Sequence, residues 1–214
     1  MADAFEEGSR VLASRDPVIA GLFQETGPVT QPHSEGTNFE ALVRAITYQQ
    51  LASAAANAIY GRLAHVLGEV EPGRLLAVGE TELRAAGLSR AKVASVLDLA
   101  AKVEDRTVVL DEAAIQRMTD DEIVTSLVRV RGIGEWTAKV FTMVHLGRLD
   151  VLPSGDLGIR QGYGLGWRVP TPTEKELTAI GEAYQPYRSV FAWYCWRAAE
   201  TFGHSTAGAV ADDE

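Results

Sequence analysis

Apolar residues in this 214-residue chain recur at helical spacing nearly throughout, and strand-like alternation is almost absent. Phe39, Leu42, Val43 and Ile46 make one apolar face. Ile59, Leu63, Val66 and Leu67 make another, and Val93, Val96, Leu97 and Ala100 a third. The one β-branched run, RTVVL over residues 106–110, is short. A fold built on a sheet is therefore excluded, and the expected class is all-α.

Capping residues divide the pattern. A first helix is expected over residues 4–14, and a second from near Asp16 with Pro17 at its first position. Residues 27–36 read as a loop, after which Asn38 is read as an N-cap. Ser53 is read as the cap of the next helix, which ends at Gly68. Short helices follow over 72–78 and 81–86, and Ser89 caps another. Thr119 and Glu122 have capping-box spacing and open a helix through Ile123, Leu127 and Val130. A helix over 135–146 comes next, then a Pro153–Ser154–Gly155 turn and a short helix at Asp156. Residues 162–172, rich in glycine, read as a loop. Two last helices, over 173–184 and 187–202, precede a tail, 203–214, expected to be disordered.

With 46% hydrophobic and 23% charged residues, a chain of this length can bury a core without disulfides. One cysteine, Cys195, excludes a disulfide framework, a cysteine-rich zinc site and a four-cysteine iron–sulfur cluster. There is no apolar run of the ~20 residues a membrane span needs, and no N-terminal signal segment. The expectation is a soluble, monomeric, cytoplasmic protein, nucleoid-associated if bacterial, with no membrane partner. Twenty basic against 29 acidic residues give a net charge of −9, which argues against a broad nucleic-acid-binding surface.

The most informative segment is LVRVRGIGEWTAKVF, residues 127–141. Two apolar-faced helices flank a turn with Gly132 and Gly134 around a buried Ile133. Glycine at both positions permits positive φ and lets a ligand approach the backbone. Amides from Gly132 through Gly134, Glu135 and Thr137, at the start of the second helix, then suit a phosphate, with the helix dipole behind them. Such a contact needs few basic side chains, which softens the objection from charge; Arg129, Arg131 and Lys139 add local positive potential. A plain helix connection is the alternative for a bare G-x-G. The apolar positions Leu127, Val130, Ile133, Ala138 and Val140 favour a helix–hairpin–helix. Beyond it, VLPSGDLGIRQ carries a single carboxylate, Asp156, at a turn-to-helix junction. It suits an N-cap, a catalytic carboxylate, or both.

A helix–hairpin–helix, a Gly/Pro turn and an Asp in that order resemble the helix–hairpin–helix DNA glycosylases, and within them the AlkA-like DNA-3-methyladenine glycosylases. FEALVRAITYQQLASAAANAIYGRL, LRAAGLSRAKVASVLDLA, VRGIGEWTAKVF, LPSGDLGIRQ and PYRSVFAWYCW carry the likeness in order, from residue 39 to about 202. The resemblance implies a glycosylase domain over 38–202, residues 1–37 packed on it, and double-stranded DNA with alkylated bases bound at a cleft between two lobes. The stretch before Asn38 is too short for the β-rich N-terminal domain that some relatives carry. Asp156 is implied as the catalytic acid residue, although Gly155 replaces the first of two acidic residues found in many relatives. Gln50 and Leu51 are implied as DNA contacts, Leu51 wedging into the duplex; core packing is the other reading of Leu51. Backbone carbonyls of Val128, Val130 and Ile133 are implied ligands of a monovalent cation, sodium or potassium, with no other cofactor required.

Relatives resembling endonuclease III, which also act as lyases, carry a lysine two residues after the second hairpin glycine. Here that residue is Trp136. A water nucleophile and a monofunctional hydrolysis are expected, releasing 3-methyladenine, 7-methylguanine and related bases. A cationic base favours aromatic walls; Trp136, Trp196 and Tyr187 are the candidates, while Trp193 is assigned to the core. Arg160, four residues after Asp156, suits a helix salt bridge with it. The competing class is a helix–hairpin–helix module that binds DNA without catalysis.

Overall fold

The computed structural model describes residues 4–31 and 36–208, and among them it contains helices and no strand. In order these are α1 (Ala4–Arg15), α2 (Pro17–Thr26), α3 (Asn38–Tyr48), α4 (Ser53–Leu67), α5 (Pro72–Ala77), α6 (Glu80–Ala85) and α7 (Arg90–Glu104). Then come α8 (Glu112–Ile115), α9 (Asp120–Leu127), α10 (Glu135–Val140) with a π turn over Phe141–His145, α11 (Leu157–Trp167), α12 (Glu174–Gly181) and α13 (Arg188–Gly208). No described helix is long and apolar enough to cross a membrane. The chain divides into two units, one holding α3–α10 and the other α1, α2 and α11–α13.

In the α3–α10 unit, Leu42, Ile46, Leu63, Leu75, Leu83, Val96 and Leu99 are fully buried. Each such side chain contributes about 1.5–3 kcal/mol on transfer from water. Several starts follow the local rules: Ser89 accepts the Lys92 amide at 3.2 Å, and Thr119 and Glu122 close a reciprocal capping box. Two caps differ from expectation. The N-cap of α3 is Thr37, in a capping box with Glu40, because Thr37 has the extended backbone a cap needs. Asn38 is instead buried, its Nδ2 donating to the Leu110 carbonyl at 2.8 Å. At α4 the cap position falls on Ala52, which offers no side-chain bond, and Ser53 is already helical. α9 ends at Leu127, and Val130 is buried in the following turn.

In the other unit, Asp16 caps α2 through Oδ1, which accepts the Val18 and Ile19 amides. Its Oδ2 accepts from Trp167 Nε1 at 2.8 Å and Tyr184 Oη at 2.7 Å. Burial and the Asp16 carboxylate both push the Tyr184 phenol far above its ordinary range. The expected loop over 162–172 is mostly helix: α11 runs through Gly162, Gly164 and Gly166 to Trp167. Glycine is weak in an isolated helix, but packing decides here. A Cβ on Gly162 would lie 1.8 Å from the Cys195 carbonyl oxygen, so only glycine lets α11 lie this close to α13. α13 continues to Gly208, past the expected end at 202. The rest of the tail expected to be disordered, 209–214, and residues 32–35 of the expected loop lie outside the described residues, as do residues 1–3.

Candidate functional site

The hairpin between α9 and α10 is built around Ile133, which is buried beside Val130. Its two glycines have different reasons to be glycine. Gly132 has φ +79°, and a Cβ there would sit 2.4 Å from Ser95 Oγ. Gly134 has φ −89° and nothing within 4 Å of an added Cβ. Of the two glycines that permit positive φ, only Gly132 adopts it. Gly134 is the exposed N-cap of α10 and has no side chain to cap it. The first helical bond there runs from the Ala138 amide to the Gly134 carbonyl, 3.0 Å. The donors of the first turn thus face an open approach to the backbone.

Neighbouring groups hold this turn from behind. The Arg131 amide donates to Asp98 Oδ2 at 2.7 Å. Burial raises the Asp98 pKa, but the Arg131 amide and the Lys102 ammonium outweigh it and hold the carboxyl below its ordinary value. Glu135 is exposed and pairs with Lys139 at 2.7 Å, which occupies that lysine amine; Thr137 is buried. Val128, Val130 and Ile133 all fall at the turn. The amides of Val130 and Ile133 are used inside it, to Leu127 and Val130 carbonyls. Neutral carbonyl oxygens of this kind fit a hard monovalent cation. Among the described residues no three His, Cys, Asp or Glu side chains gather as a metal site.

Between α3 and α4 the chain makes a tight turn. Gln50 is left-handed at φ +57°, and the Leu51 amide bonds back to the Tyr48 carbonyl at 3.2 Å. Leu51 is 39% exposed, which removes the core-packing reading. Sequence reasoning missed two side chains that brace this turn. Gln49 Nε2 donates to the Gly132 carbonyl at 3.0 Å and to Thr137 Oγ1 at 3.4 Å. Lys92 Nζ donates to the carbonyls of Thr47 and Gln49 at 2.7 and 2.8 Å. No local pattern announces either contact, since each joins residues more than forty positions apart.

A cavity of about 880 Å³ opens beside this turn, lined by Arg44 and Tyr48 of α3, by Gln50 of the turn itself, and from α10 and the π turn by Trp136, Phe141 and His145. Trp136 is 48% exposed, far more than a core indole. Arg44 lies over the rings of Tyr48 and Tyr60, at 5.1 and 5.5 Å. His145 stacks on Phe141 at 4.9 Å, and its Nε2 meets Asn38 Oδ1 at 2.9 Å. Burial lowers the His145 pKa, with Glu112 opposing it. Tyr48, Phe141 and His145 were not singled out in the sequence, where they read as ordinary helix positions.

In the other unit, Asp156 is the N-cap of α11, its Oδ1 accepting the Ile159 amide at 2.8 Å. The same oxygen accepts Trp196 Nε1 at 3.1 Å. Capping and a second, non-local contact thus coexist on one carboxylate. Trp196 also stands edge-on to Trp193 at 5.0 Å. The Trp193 ring is half-buried, and its Nε1 is buried without a hydrogen-bond partner. Tyr187 is placed against α1, where a Cβ on Gly8 would come within 2.6 Å of its ring. The expected salt bridge to Asp156 is absent, because Arg160 turns to the Pro172 carbonyl at 3.4 Å.

A hairpin with an uncapped glycine start, followed by a carboxylate at a turn-to-helix junction, can be compared with known proteins. The family model described as HhH-GPD superfamily base excision DNA repair protein matches residues 43–186. The chain belongs to the HhH-GPD superfamily. Within it, the chain is 33% identical to DNA-3-methyladenine glycosylase 1 of Schizosaccharomyces pombe, over 74% of this chain and 71% of that protein. The crystal structure of a DNA-3-methyladenine glycosidase from Bacillus halodurans superposes with a TM-score of 0.82 at 33% identity, covering 92% of this chain and 91% of that one. A Schizosaccharomyces pombe 3-methyladenine DNA glycosylase in complex with abasic DNA gives 0.78 at 28% identity, covering 91% and 97%. For an HhH-GPD protein, α9–α10 is then the hairpin that gives the superfamily its name.

Proposed function

We propose that this HhH-GPD protein is a DNA glycosylase that removes alkylated bases, 3-methyladenine and 7-methylguanine foremost, from double-stranded DNA. The observation that carries the reading is Asp156, a carboxylate at a helix start held by the Ile159 amide and the Trp196 indole. A module that only binds DNA needs neither.

The uncapped start of α10 receives a backbone phosphate, and Leu51 fills the gap left when the damaged nucleotide turns out of the stack. Carbonyls of Val128, Val130 and Ile133 are suited to a monovalent cation, which when bound supplies positive charge beside that phosphate. Trp136 and Tyr48 offer electron-rich faces to a base made cationic by alkylation, each worth about 0.5–2 kcal/mol. Such a base leaves readily. As the C1′–N bond breaks, its electron pair goes to the departing base. The Asp156 side chain stabilises the positive charge spreading over C1′ and the ring oxygen. Water then forms the new C1′–O bond and loses a proton, leaving an abasic site.

The nucleophile is water, so the reaction is monofunctional. Trp136 occupies the position from which a lyase lysine would attack, and the Lys139 amine is paired with Glu135. Alkylated duplex DNA incubated with the protein should release free methylated base, and the Asp156→Asn protein should release far less. Borohydride should trap no covalent adduct. DNA binding without release of base would support the non-catalytic module; a trapped adduct lost in Lys139→Ala would replace water by that lysine.

A further inference from the structure

The turn carrying Leu51 is exposed, yet it is held from three sides. Gln49 reaches 83 residues along the chain to the Gly132 carbonyl, and also touches Thr137 Oγ1. Lys92 clamps the carbonyls of Thr47 and Gln49. The Leu51 amide closes onto Tyr48. Gln50, between them, holds a left-handed conformation that a non-glycine residue adopts at a cost. Such a conformation persists when its surroundings over-determine it.

We propose that Gln49 is a positioning residue that joins the turn bearing Leu51 to the hairpin, so that seating the hairpin on a phosphate and inserting Leu51 into the duplex are one event. This rests on the glycosylase reading above, in which Leu51 enters the stack. Inserting an apolar side chain between bases meets the resistance of stacking, a few kcal/mol per step. A turn free to recoil would yield before the bases did. Gln49 prevents recoil by tying the turn to the Gly132 peptide, the same backbone whose next residues face the phosphate. The resisting force therefore passes into the grip on the DNA backbone.

Gln49→Met keeps the length of the side chain and removes its donors. Lys92→Met keeps the aliphatic stem and releases the same turn from its other side, so either variant serves if one folds poorly. Two readouts are needed. One is single-turnover release of 3-methyladenine. The other is fluorescence of 2-aminopurine placed beside a tetrahydrofuran abasic analogue, which reports unstacking without any chemistry. In a folded Gln49→Met protein both should fall about tenfold, the scale of one hydrogen bond lost from a strained element. In a Leu51→Ala background the same substitution should change neither by more than about twofold, since the residue acts through Leu51. Equal effects with and without Leu51, or wild-type signals in both folded variants, would overturn the proposal. If the wild type released no base while the fluorescence coupling held, the proposed reaction would fail and this coupling would stand.

Discussion

Trp196 donates its indole N–H to the same Asp156 oxygen that caps α11, at 3.1 Å, so one atom serves both the helix and the site. Asp156→Asn keeps an N-cap acceptor, because Asn ranks with Asp at that position. The fold should survive. Single-turnover base release should fall about 10²–10⁴-fold, the scale of losing a placed charge. Trp196→Phe keeps an aromatic ring and removes one donor to a carboxylate, and should cost about 10–100-fold. Rates near wild type in Asp156→Asn would take this carboxylate out of the mechanism.

Glycine substitutions should separate stability from binding. Gly162→Ala puts a carbon 1.8 Å from a backbone oxygen that cannot rotate away, and should lower unfolding free energy by about 3 kcal/mol. Gly132→Ala meets left-handed backbone and Ser95, and should cost about 1–2 kcal/mol. Gly134→Val meets neither. Its thermal midpoint should move little. Its affinity for abasic-analogue DNA should fall about tenfold or more, because the valine side chain keeps the phosphate from the charge-assisted hydrogen bonds of the α10 amides. A stable Gly134→Val protein with full DNA affinity would detach the hairpin from DNA.

Several arginines are engaged within the fold. Arg62, Arg84 and Arg197 donate to backbone carbonyls of Ala86, Leu88 and Gly27, and Arg188 to Asp150. With a net charge of −9, duplex binding should show a shallow log–log salt slope, about −2 to −4 at −0.9 per phosphate. A titration giving a slope near about −8 would demand a wide basic surface.

His145 predicts a pH dependence of stability. Burial lowers its folded-state pKa below the ordinary 6.5. The unfolded chain then binds more protons between those two values, so stability is full above about pH 7 and declines as pH falls through the unfolded pKa. His145→Gln keeps a possible donor to Asn38 and removes the titration. Urea unfolding between about pH 5 and 8 should show a flatter profile in that variant; identical slopes would clear His145 of the effect.

How far the sequence speaks depends on how far a residue reaches. Thr119 and Glu122 are three apart, and their capping box was legible because its physics is local. Asp156 was legible as a cap for the same reason. Asn38 was misread because its partners, Leu110 and His145, are 72 and 107 residues away, and the adjacent Thr37 takes the local role. The glycines of α11 read as a loop because glycine weakens helices. Only neighbours that the sequence does not announce explain why they lie in one: the Cys195 backbone against Gly162, Val169 and Thr171 against Gly164, and Ala198 and Val18 against Gly166. Trp136 could be found from its place after Gly134. Tyr48 and Gln49 could not, since their importance arises from what α3 and the hairpin place beside them.

The contact between Gly162 and the Cys195 backbone bears on how this protein could change its preferences. Asp156 caps α11, α13 carries Trp196, and the two helices touch at Gly162, where no side chain fits between them. The carboxylate and the indole are thus mounted on a single stiff frame. A substitution that shifted one helix would drag the other with it or break the packing, so this pair offers no graded adjustment. Variants selected for new bases should accumulate changes around the cavity beside Trp136 and leave the two helices alone.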